Sequence, residues 1–399
     1  MNAPEKTALR INLPAAGRTL ERFELGMPRN FPSRPARAFT RIAYSAAHVV
    51  ADPLAAQDPW LDAAIDWDAT IAYRRHLWSL GLGVAEAMDT AQRGMGLDWP
   101  TSLELIRRST DAARDLPGAL LASGAGTDQL AVEDARSLDD VLRAYEEQLA
   151  AIEKLGGRII LMASRALARV AKSPADYEKI YDRILSQVSQ PVIIHWLGEM
   201  FDPALSGYWG SADHHKAMDT AVGVINAHAG KVDGVKVSLL DKDKEIAMRR
   251  RLAKGVRMYT GDDFNYAELI GGDQTGDGQG HSDALLGIFD AIAPAASAAL
   301  GELAAGNRAA FDEILAPTVP LSRHIFGAPT RFYKTGVVFL AWLNGHQDHF
   351  VMVGGQQSAR SILHLVETFR LADRAGLLSD PQRAVSRMCQ LLAVHGIGN

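Results

Sequence analysis

The sequence has a single cysteine, Cys389, among its 399 residues. An intramolecular disulfide and a cysteine-based zinc site are therefore excluded, and a reducing compartment fits this composition. No run of about eighteen apolar residues occurs, and the N-terminus lacks the apolar core of a secretory signal. The net charge of −5 at pH 7 gives no basic excess for nucleic acid. We expect a cytoplasmic protein whose partners include neither a membrane nor nucleic acid.

Short apolar runs recur along the chain, each bounded by glycine, proline or a polar turn. Consecutive apolar positions of this length are typical of strands buried on both faces. The runs are RIAYSAAHVV (41–50), LGVAEAM (82–88), GALLASG (118–124), RIILMAS (158–164), PVIIHWL (191–197), VDGVKVSLL (232–240) and GVRMYTG (255–261).

Amphipathic segments of helical period lie between these runs. Residues 142–157 place Leu142, Tyr145, Leu149 and Ile152 on one face and end at two glycines. Residues 173–188 begin with Ser173 as the predicted N-cap and proline at the first helical position. Residues 61–81 and 101–114 follow the same pattern. Strand–helix alternation predicts a parallel α/β sheet, and either a barrel or a doubly wound sheet satisfies it.

The predicted organisation has three parts. Residues 1–37 form an N-terminal arm, 38–310 a (β/α)8 TIM barrel, and 311–399 extra C-terminal helices packed on the barrel. The eighth strand is the weakest signal. Either a short strand is expected near 268–272 or the barrel closes irregularly, and the chain that follows is predicted to be a loop and then a helix.

Polar residues follow most of the apolar runs. In a barrel enzyme the reacting groups sit at the carboxyl ends of the strands. Reading those ends in chain order gives His48, Glu86, Asp89, Thr90, Ser123, Ser164, Arg165, His195, Glu199, Lys236, Asp262 and Asp263.

Lys236 is the most informative residue of this set, because it stands between two valines inside a predicted buried strand. Lysine is rarely buried without a partner or a function. Burial favours the neutral amine, which is the form that attacks a carbonyl to make an imine. A lysine paired with an acidic residue inside the barrel would give the same pattern without catalysis.

His195 leads out of the preceding predicted strand and could transfer protons, ligate a metal or simply hydrogen-bond in the core. Loop 86–100 offers backbone N–H groups to an anion, opposed by Asp89 and Asp98. The histidine-rich segments DHH (213–215) and GHQDHF (345–350), the latter with His346 and His349, fit either metal ligands or polar turns.

Residues 41–306 resemble the superfamily of dihydrodipicolinate synthase and N-acetylneuraminate lyase, the class I aldolase barrels. The resemblance rests on PVIIHW at the fifth strand, GVKVSLLD at the sixth, YTGDDFNYAELIGG at the seventh, and the helix APAASAALGELAAGN. Within this superfamily, the chain length and the histidine- and tryptophan-rich motifs resemble those of a group of larger bacterial proteins whose function is not assigned.

The resemblance implies specific roles. Lys236 matches the Schiff-base lysine, while Asp89 and Thr90 fall where the superfamily has paired threonines that bind the carboxylate of a 2-oxo acid. His195 falls where the superfamily has a proton-relaying tyrosine. Both of these are departures, and a carboxylate at position 89 disfavours pyruvate. Assembly into dimers or tetramers is also implied.

The sequence thus predicts a Schiff-base lyase or dehydratase that acts on a polyhydroxylated keto compound or a sugar-derived 2-oxo acid. Lys236 and His195 would be catalytic. The substrate-binding residues would be His48, Glu86, Asp89, Thr90, Glu199, Asp262 and Asp263, with no cofactor required. Two alternatives stay open. One is a metal-dependent sugar isomerase or lyase using His48, Glu86, His195 and Asp262, and the other is a non-catalytic sugar-binding barrel.

Overall fold

The computed structural model describes residues 9–273 and 280–398. Its centre is a closed barrel of eight parallel strands. They are β3 (Ala43–Ala46), β4 (Gly83–Glu86), β5 (Leu121–Ala125), β6 (Arg158–Leu161), β7 (Val192–Leu197), β8 (Val232–Ser238), β9 (Arg257–Thr260) and β10 (Asp283–Leu286). They pair in chain order around the barrel, and β10 closes it by pairing with both β9 and β3. The predicted (β/α)8 barrel is confirmed, and the doubly wound alternative is wrong because the sheet closes.

Six of the strands lie within the apolar runs that predicted them, and β5 extends one residue beyond its run. Successive side chains of a strand point to opposite faces of the sheet. One set, including Ala85, Ala122, Ile160 and Ile193, fills the barrel interior, and the other set packs under the surrounding helices.

The eighth strand was predicted in the wrong place. Residues 268–272 fall in helix α8 (Tyr266–Gly271) and its C-cap, and the eighth strand is β10 instead. The apolar residues of Asp283–Leu286 continue after Gly287 into the helix Ile288–Ala291, so the segment was interpreted as a loop followed by a helix. Residues 274–279 of the predicted loop lie outside the described residues.

Helices follow the strands and cover the barrel. Ahead of α8 they are α1 (Trp67–Ser79), α2 (Trp99–Arg114), α3 (Leu138–Lys154), α4 (Arg165–Val170), α5 (Pro174–Gln187), α6 (His214–Ala227) and α7 (Lys242–Arg249). After β10 come α9 (Ile288–Ala291) and α10 (Ala293–Ala304). The predicted start of α5 is confirmed, and the Asp176 carboxylate accepts from the Ser173 N–H at 3.0 Å. Helix α3 ends just before Gly156, whose φ of +77° suits the left-handed turn there.

Two further segments flank the barrel. An antiparallel hairpin of β1 (Arg10–Ala15) and β2 (Thr19–Glu24) begins the described chain and packs on the helix Ile362–Arg374. The first eight residues of the predicted arm lie outside the described residues. The C-terminal helices are α11 (Arg308–Leu315), α12 (Thr318–Ile325), α13 (Tyr333–Leu343), α14 (Ile362–Arg374) and α15 (Pro381–Val394). The predicted domain limit at residue 310 falls inside α11. Within the described ranges, no helix has the length and apolar character needed to cross a bilayer.

Helix α13 is the element of the C-terminal part that matters most for the site. All eleven of its residues are buried, including Tyr333 and Lys334. Its N-terminus reaches the barrel end at which the strands finish, because the Tyr333 hydroxyl contacts Thr90, four residues beyond β4.

Candidate active site

Lys236 lies inside the barrel. Val235 and Val237 pack into the layer between strands and helices, so the lysine side chain between them points inward. The lysine is 7% exposed, and its amine makes no hydrogen bond or ion pair with any residue that the structure describes. Burial lowers its pKa, while the carboxylates of Asp263 and Asp89 oppose that shift. This environment increases the fraction of neutral, nucleophilic amine.

Gly261 gives the lysine the room it occupies. A Cβ atom built on Gly261 would stand 2.8 Å from Lys236 Cε and 2.2 Å from Ser238 Oγ. Those distances are shorter than van der Waals contact, so a side chain at position 261 would displace the lysine stem. The glycine after β9 therefore positions the amine.

His195 is the direct neighbour of Lys236 on the next strand, as the two residues are register partners of β7 and β8. Its Nε2 lies 3.1 Å from Ser238 Oγ, and its Nδ1 is buried without a partner. Burial, and next the charge of Lys236, lower the pKa of His195 well below its usual value. The ring is therefore neutral near pH 7 and can accept or pass on a proton.

Asp89 and Thr90 follow β4 in a short 3-10 helix, Asp89–Ala91. The Thr90 hydroxyl lies 2.8 Å from the hydroxyl of Tyr333, which α13 inserts at this end of the barrel. Burial raises the pKa of Tyr333 well above its usual value, and the carboxylates of Asp89 and Asp263 act in the same direction. Tyr333 is thus a protonated phenol beside the same two carboxylates that act on Lys236.

Asp263 and Asp262 are neighbours with different surroundings. The Asp263 carboxyl accepts from the Ile288 N–H at 2.9 Å, and burial raises its pKa to about 7 despite the nearby Lys236. The Asp262 carboxyl accepts from the N–H groups of Phe264 and Asn265 and from the Asn265 side chain. Asp263 therefore belongs to the lysine site, whereas Asp262 is occupied in holding its own loop.

Glu86 is not brought to the site. Its carboxylate is fully buried and points away from the barrel interior, where Arg74 contacts both of its oxygens at 2.8 and 2.9 Å. The Ser109 hydroxyl donates to the same carboxylate at 2.6 Å. With these partners Glu86 joins β4 to α1 and α2, and its oxygens are not available to a substrate.

His48 is not brought to the site either. Its Nδ1 lies 2.9 Å from both Asp290 oxygens, and its ring packs on Tyr73 at 4.4 Å between centroids. His346 contacts Tyr73 and His76 in a second cavity of about 510 Å³, formed mainly by α1, α13 and residues 28–33. This histidine group is separate from the cavity that His195 lines.

The remaining histidine-rich segments also have structural partners. Glu199, 42% exposed, pairs with His214 at 3.2 Å, and His349 Nδ1 accepts from the Val351 N–H at 3.2 Å. The four ligands of the metal-dependent alternative are thus dispersed, since Glu86 and His48 are bound elsewhere. Among the described residues, no group of three or more His, Cys, Asp or Glu is arranged to hold a metal ion.

A cavity of about 310 Å³ opens beside the lysine site, with Asp89 and His195 in its wall. Its remaining polar lining includes Arg93, Thr127, Asp128, Arg165 and Asp202, and its apolar lining includes Met162, Leu197 and Leu205. This mixture suits a small polar organic molecule.

Tyr333 and Lys334 lie beside Thr90 and Asp89 of the candidate site, and the sequence did not indicate them. Lys334 is buried, donates to the Arg331 carbonyl at 3.1 Å and lies 3.3 Å from Met95 Sδ, and burial lowers its pKa to about 8. Asp89 lies near enough to oppose that shift. Both residues come from the C-terminal helices, and only burial of a lysine in an apolar segment could have identified Lys334.

Solved structures of dihydrodipicolinate synthases share this fold. The enzyme from Aquifex aeolicus superposes with a TM-score of 0.61 at 11% identity, covering 85% of this chain and 100% of that chain. A putative dihydrodipicolinate synthetase from Pseudomonas aeruginosa gives a TM-score of 0.61 at 13% identity, over 85% and 100%. YagE, a prophage protein of the dihydrodipicolinic acid synthase family from E. coli K12 in complex with pyruvate, gives 0.60 at 12% identity, over 90% and 100%.

At these identities the likeness concerns the fold, and it agrees with the resemblance read from the strand motifs. No protein with a curated description matches the sequence. A match over nearly the whole chain, residues 11–397, shows that this protein belongs to the family described as protein of unknown function, DUF993.

Proposed function

We propose that this protein is a Schiff-base lyase or dehydratase of the class I aldolase type, acting on a polyhydroxylated keto compound. The observation that carries the proposal is the Lys236 amine, buried inside the barrel and unpaired among the described residues. The likeness of the protein's fold to that of dihydrodipicolinate synthases also supports Schiff-base chemistry.

The reaction begins when the neutral amine attacks the substrate carbonyl. The carbinolamine then loses water, which requires a proton on the departing oxygen, and a protonated imine remains on Lys236. Tyr333 is protonated and His195 is neutral. The imidazole can therefore receive the proton released from the amine and return it to the former carbonyl oxygen, which completes the carbinolamine, and the phenol can supply the second proton with which that oxygen leaves as water.

The protonated imine is the electron sink for the bond-breaking step. In a lyase, a base removes the proton of the hydroxyl β to the imine carbon, the adjoining C–C bond breaks, and its electron pair moves to the imine nitrogen. In a dehydratase, a base removes the α proton and hydroxide leaves from the β carbon as water after protonation. After C–C cleavage the enamine left on Lys236 takes up a proton at carbon and becomes an imine again. Hydrolysis of the imine then releases product in both cases, and no cofactor is required.

The charge of Asp89 determines which substituent of the substrate can lie next to the imine carbon. Its carboxylate acts on Lys236 and would repel the carboxylate of a small 2-oxo acid such as pyruvate. Hydroxyl groups can donate to the carboxyl oxygens of Asp89 and Asp263. We therefore propose a substrate with hydroxyls near the reacting carbonyl.

Turnover with a panel of keto sugars and 2-oxo acids tests this function. We expect turnover of at least one keto sugar, loss of that turnover in Lys236→Met, and irreversible inactivation when substrate and borohydride are added together. Turnover that survives Lys236→Met would refute the imine mechanism, and saturable sugar binding without turnover or reductive inactivation would favour a binding protein. The predicted dimer or tetramer can be measured by sedimentation on the same samples.

A further inference from the structure

Arg93 and Arg165 both line the cavity beside the lysine site, but they differ in how much of each guanidinium is already bound. Arg93 contacts Asp128 through Nε at 3.1 Å and Nη2 at 2.7 Å, and its Nη1 donates to the Ala87 carbonyl at 3.3 Å. Gln148 also accepts from it. The Arg93 side chain is only 2% exposed and its guanidinium is already bound within the protein, so it is not available to a ligand.

Arg165 is fixed at one edge and free at the other. Its Nε donates to Asp202, whose other oxygen accepts from the Ala204 N–H at 3.1 Å. Its terminal nitrogens Nη1 and Nη2 make no hydrogen bond with the part of the chain that the structure describes. The side chain is 41% exposed, so the free edge of the guanidinium is open to a ligand.

Gly94 provides the space in front of that free edge. A Cβ atom on Gly94 would stand 3.1 Å from Arg165 Nη1, and its φ of +69° also favours glycine. Both residues line the cavity. A planar fork of N–H groups held in this way matches the two oxygens of a carboxylate or phosphate.

We propose that Arg165 binds an anionic group, a carboxylate or a phosphate ester, at the end of the substrate remote from the reacting carbonyl. The inference rests on the proposed function, which places the substrate carbonyl at Lys236. It adds that the substrate is negatively charged and that its charged end points toward Arg165. Asp89 excludes an anion next to Lys236, so the anionic end lies toward Arg165. An anion there would also offset the repulsion between Arg165 and Lys334, which are close enough to affect each other's charge.

Compounds without a carbonyl test this inference separately from the imine. Calorimetric titrations would compare D-glucitol, D-gluconate and D-glucitol 6-phosphate on the wild-type protein, Arg165→Met, Arg165→Lys and Arg169→Met. Arg169 is exposed on the same helix, α4, and its substitution makes the same charge change. We expect gluconate or glucitol 6-phosphate to bind wild-type at least about tenfold more tightly than glucitol, with that advantage lost in Arg165→Met and reduced in Arg165→Lys.

The outcomes separate the two anions and the two proposals. Preference for gluconate alone assigns a carboxylate, and preference for glucitol 6-phosphate alone assigns a phosphate ester. Equal binding of all three compounds, or equal effects of Arg165→Met and Arg169→Met, would overturn the role of Arg165. Trapping of D-fructose on Lys236 in the same proteins reports on the imine independently, so either proposal can fail while the other stands.

Discussion

The hydroxyls of Thr90 and Tyr333 lie 2.8 Å apart although 243 positions separate the two residues in the chain. Thr90 follows the second barrel strand, and Tyr333 begins a fully buried helix of the C-terminal part. Phe326 stacks on the tyrosine ring at 4.3 Å between centroids and holds it in place. The C-terminal helices therefore contribute to the site as well as covering the barrel.

Removing the Tyr333 hydroxyl tests this contribution. We expect Tyr333→Phe to lower kcat by about 10²-fold or more, the usual effect of losing a positioned acid or base. The variant keeps the stacked ring, so its unfolding midpoint should stay near the wild-type value. Phe326→Leu is the control for ring packing, because it alters stability without removing a proton donor. Unchanged kcat in Tyr333→Phe would exclude the phenol from proton transfer.

The pH dependence of Lys236 reactivity follows from its two carboxylate neighbours. Asp89 and Asp263 both raise the pKa of the lysine against the effect of burial. Replacing either carboxylate by its amide removes a stabilising charge from the ammonium form, so the pKa falls and more neutral amine is present at pH 7. The rate of reductive methylation of Lys236 by formaldehyde, followed by peptide mapping from pH 5 to 9, should therefore reach half its maximum at lower pH in Asp89→Asn and Asp263→Asn. A shift to higher pH, or no shift, would contradict the assigned charges.

Glu86 should matter for stability and not for chemistry. Breaking its buried pair with Arg74 leaves an uncompensated charge, so we expect Arg74→Met to lower the free energy of unfolding by about 3–5 kcal/mol. Denaturant unfolding measures this loss. The folded fraction of the variant should still form the Lys236 adduct. If fully folded Arg74→Met protein no longer formed the Lys236 adduct, the Glu86–Arg74 pair would have a role in the chemistry, and the original assignment of Glu86 to substrate binding would be favoured.

Gly261→Ala should disturb the lysine directly. The added Cβ would collide with Lys236 Cε, Ser238 Oγ and the Val237 carbonyl oxygen, so we expect at least a tenfold fall in reductive trapping of the lysine per folded molecule, with the folded fraction measured by circular dichroism. Gly223→Ala on α6 is the matched control, since a Cβ there meets no atom within 4 Å. Equal trapping in both variants would show that Gly261 does not position the amine.

Much of the barrel could be predicted because its strands are continuous apolar runs between clear turns. The burial of Lys236 inside a strand could be predicted for the same reason, since a charged residue within an apolar run stands out. The strand β10 was missed because its apolar residues continue into helix α9 after a single glycine. Its true position depends on pairing with β3 and β9, which are distant in the sequence.

The limits of the site prediction have a geometric cause. The position of a residue at the end of a strand does not determine whether its side chain points into the barrel or toward the helices. Glu86 points toward the helices, whereas Lys236 points into the barrel. Asp262 accepts a hydrogen bond from the nearby Asn265 N–H, and the His48 ring bonds to the distant Asp290. The sequence alone does not predict either contact. Tyr333 and Lys334 enter the site through packing of α13, which no local pattern encodes.

The most direct test is to locate the reduced adduct on the chain, because two buried lysines with lowered pKa values, Lys236 and Lys334, stand near Asp89. Wild-type, Lys236→Met and Lys334→Met proteins would be incubated with a turned-over keto sugar and cyanoborohydride, digested and sequenced by mass spectrometry. We predict one adduct on the peptide that contains Lys236, present also in Lys334→Met and absent from Lys236→Met. An adduct on Lys334 instead, or turnover by wild-type protein with no adduct on Lys236, would contradict the account.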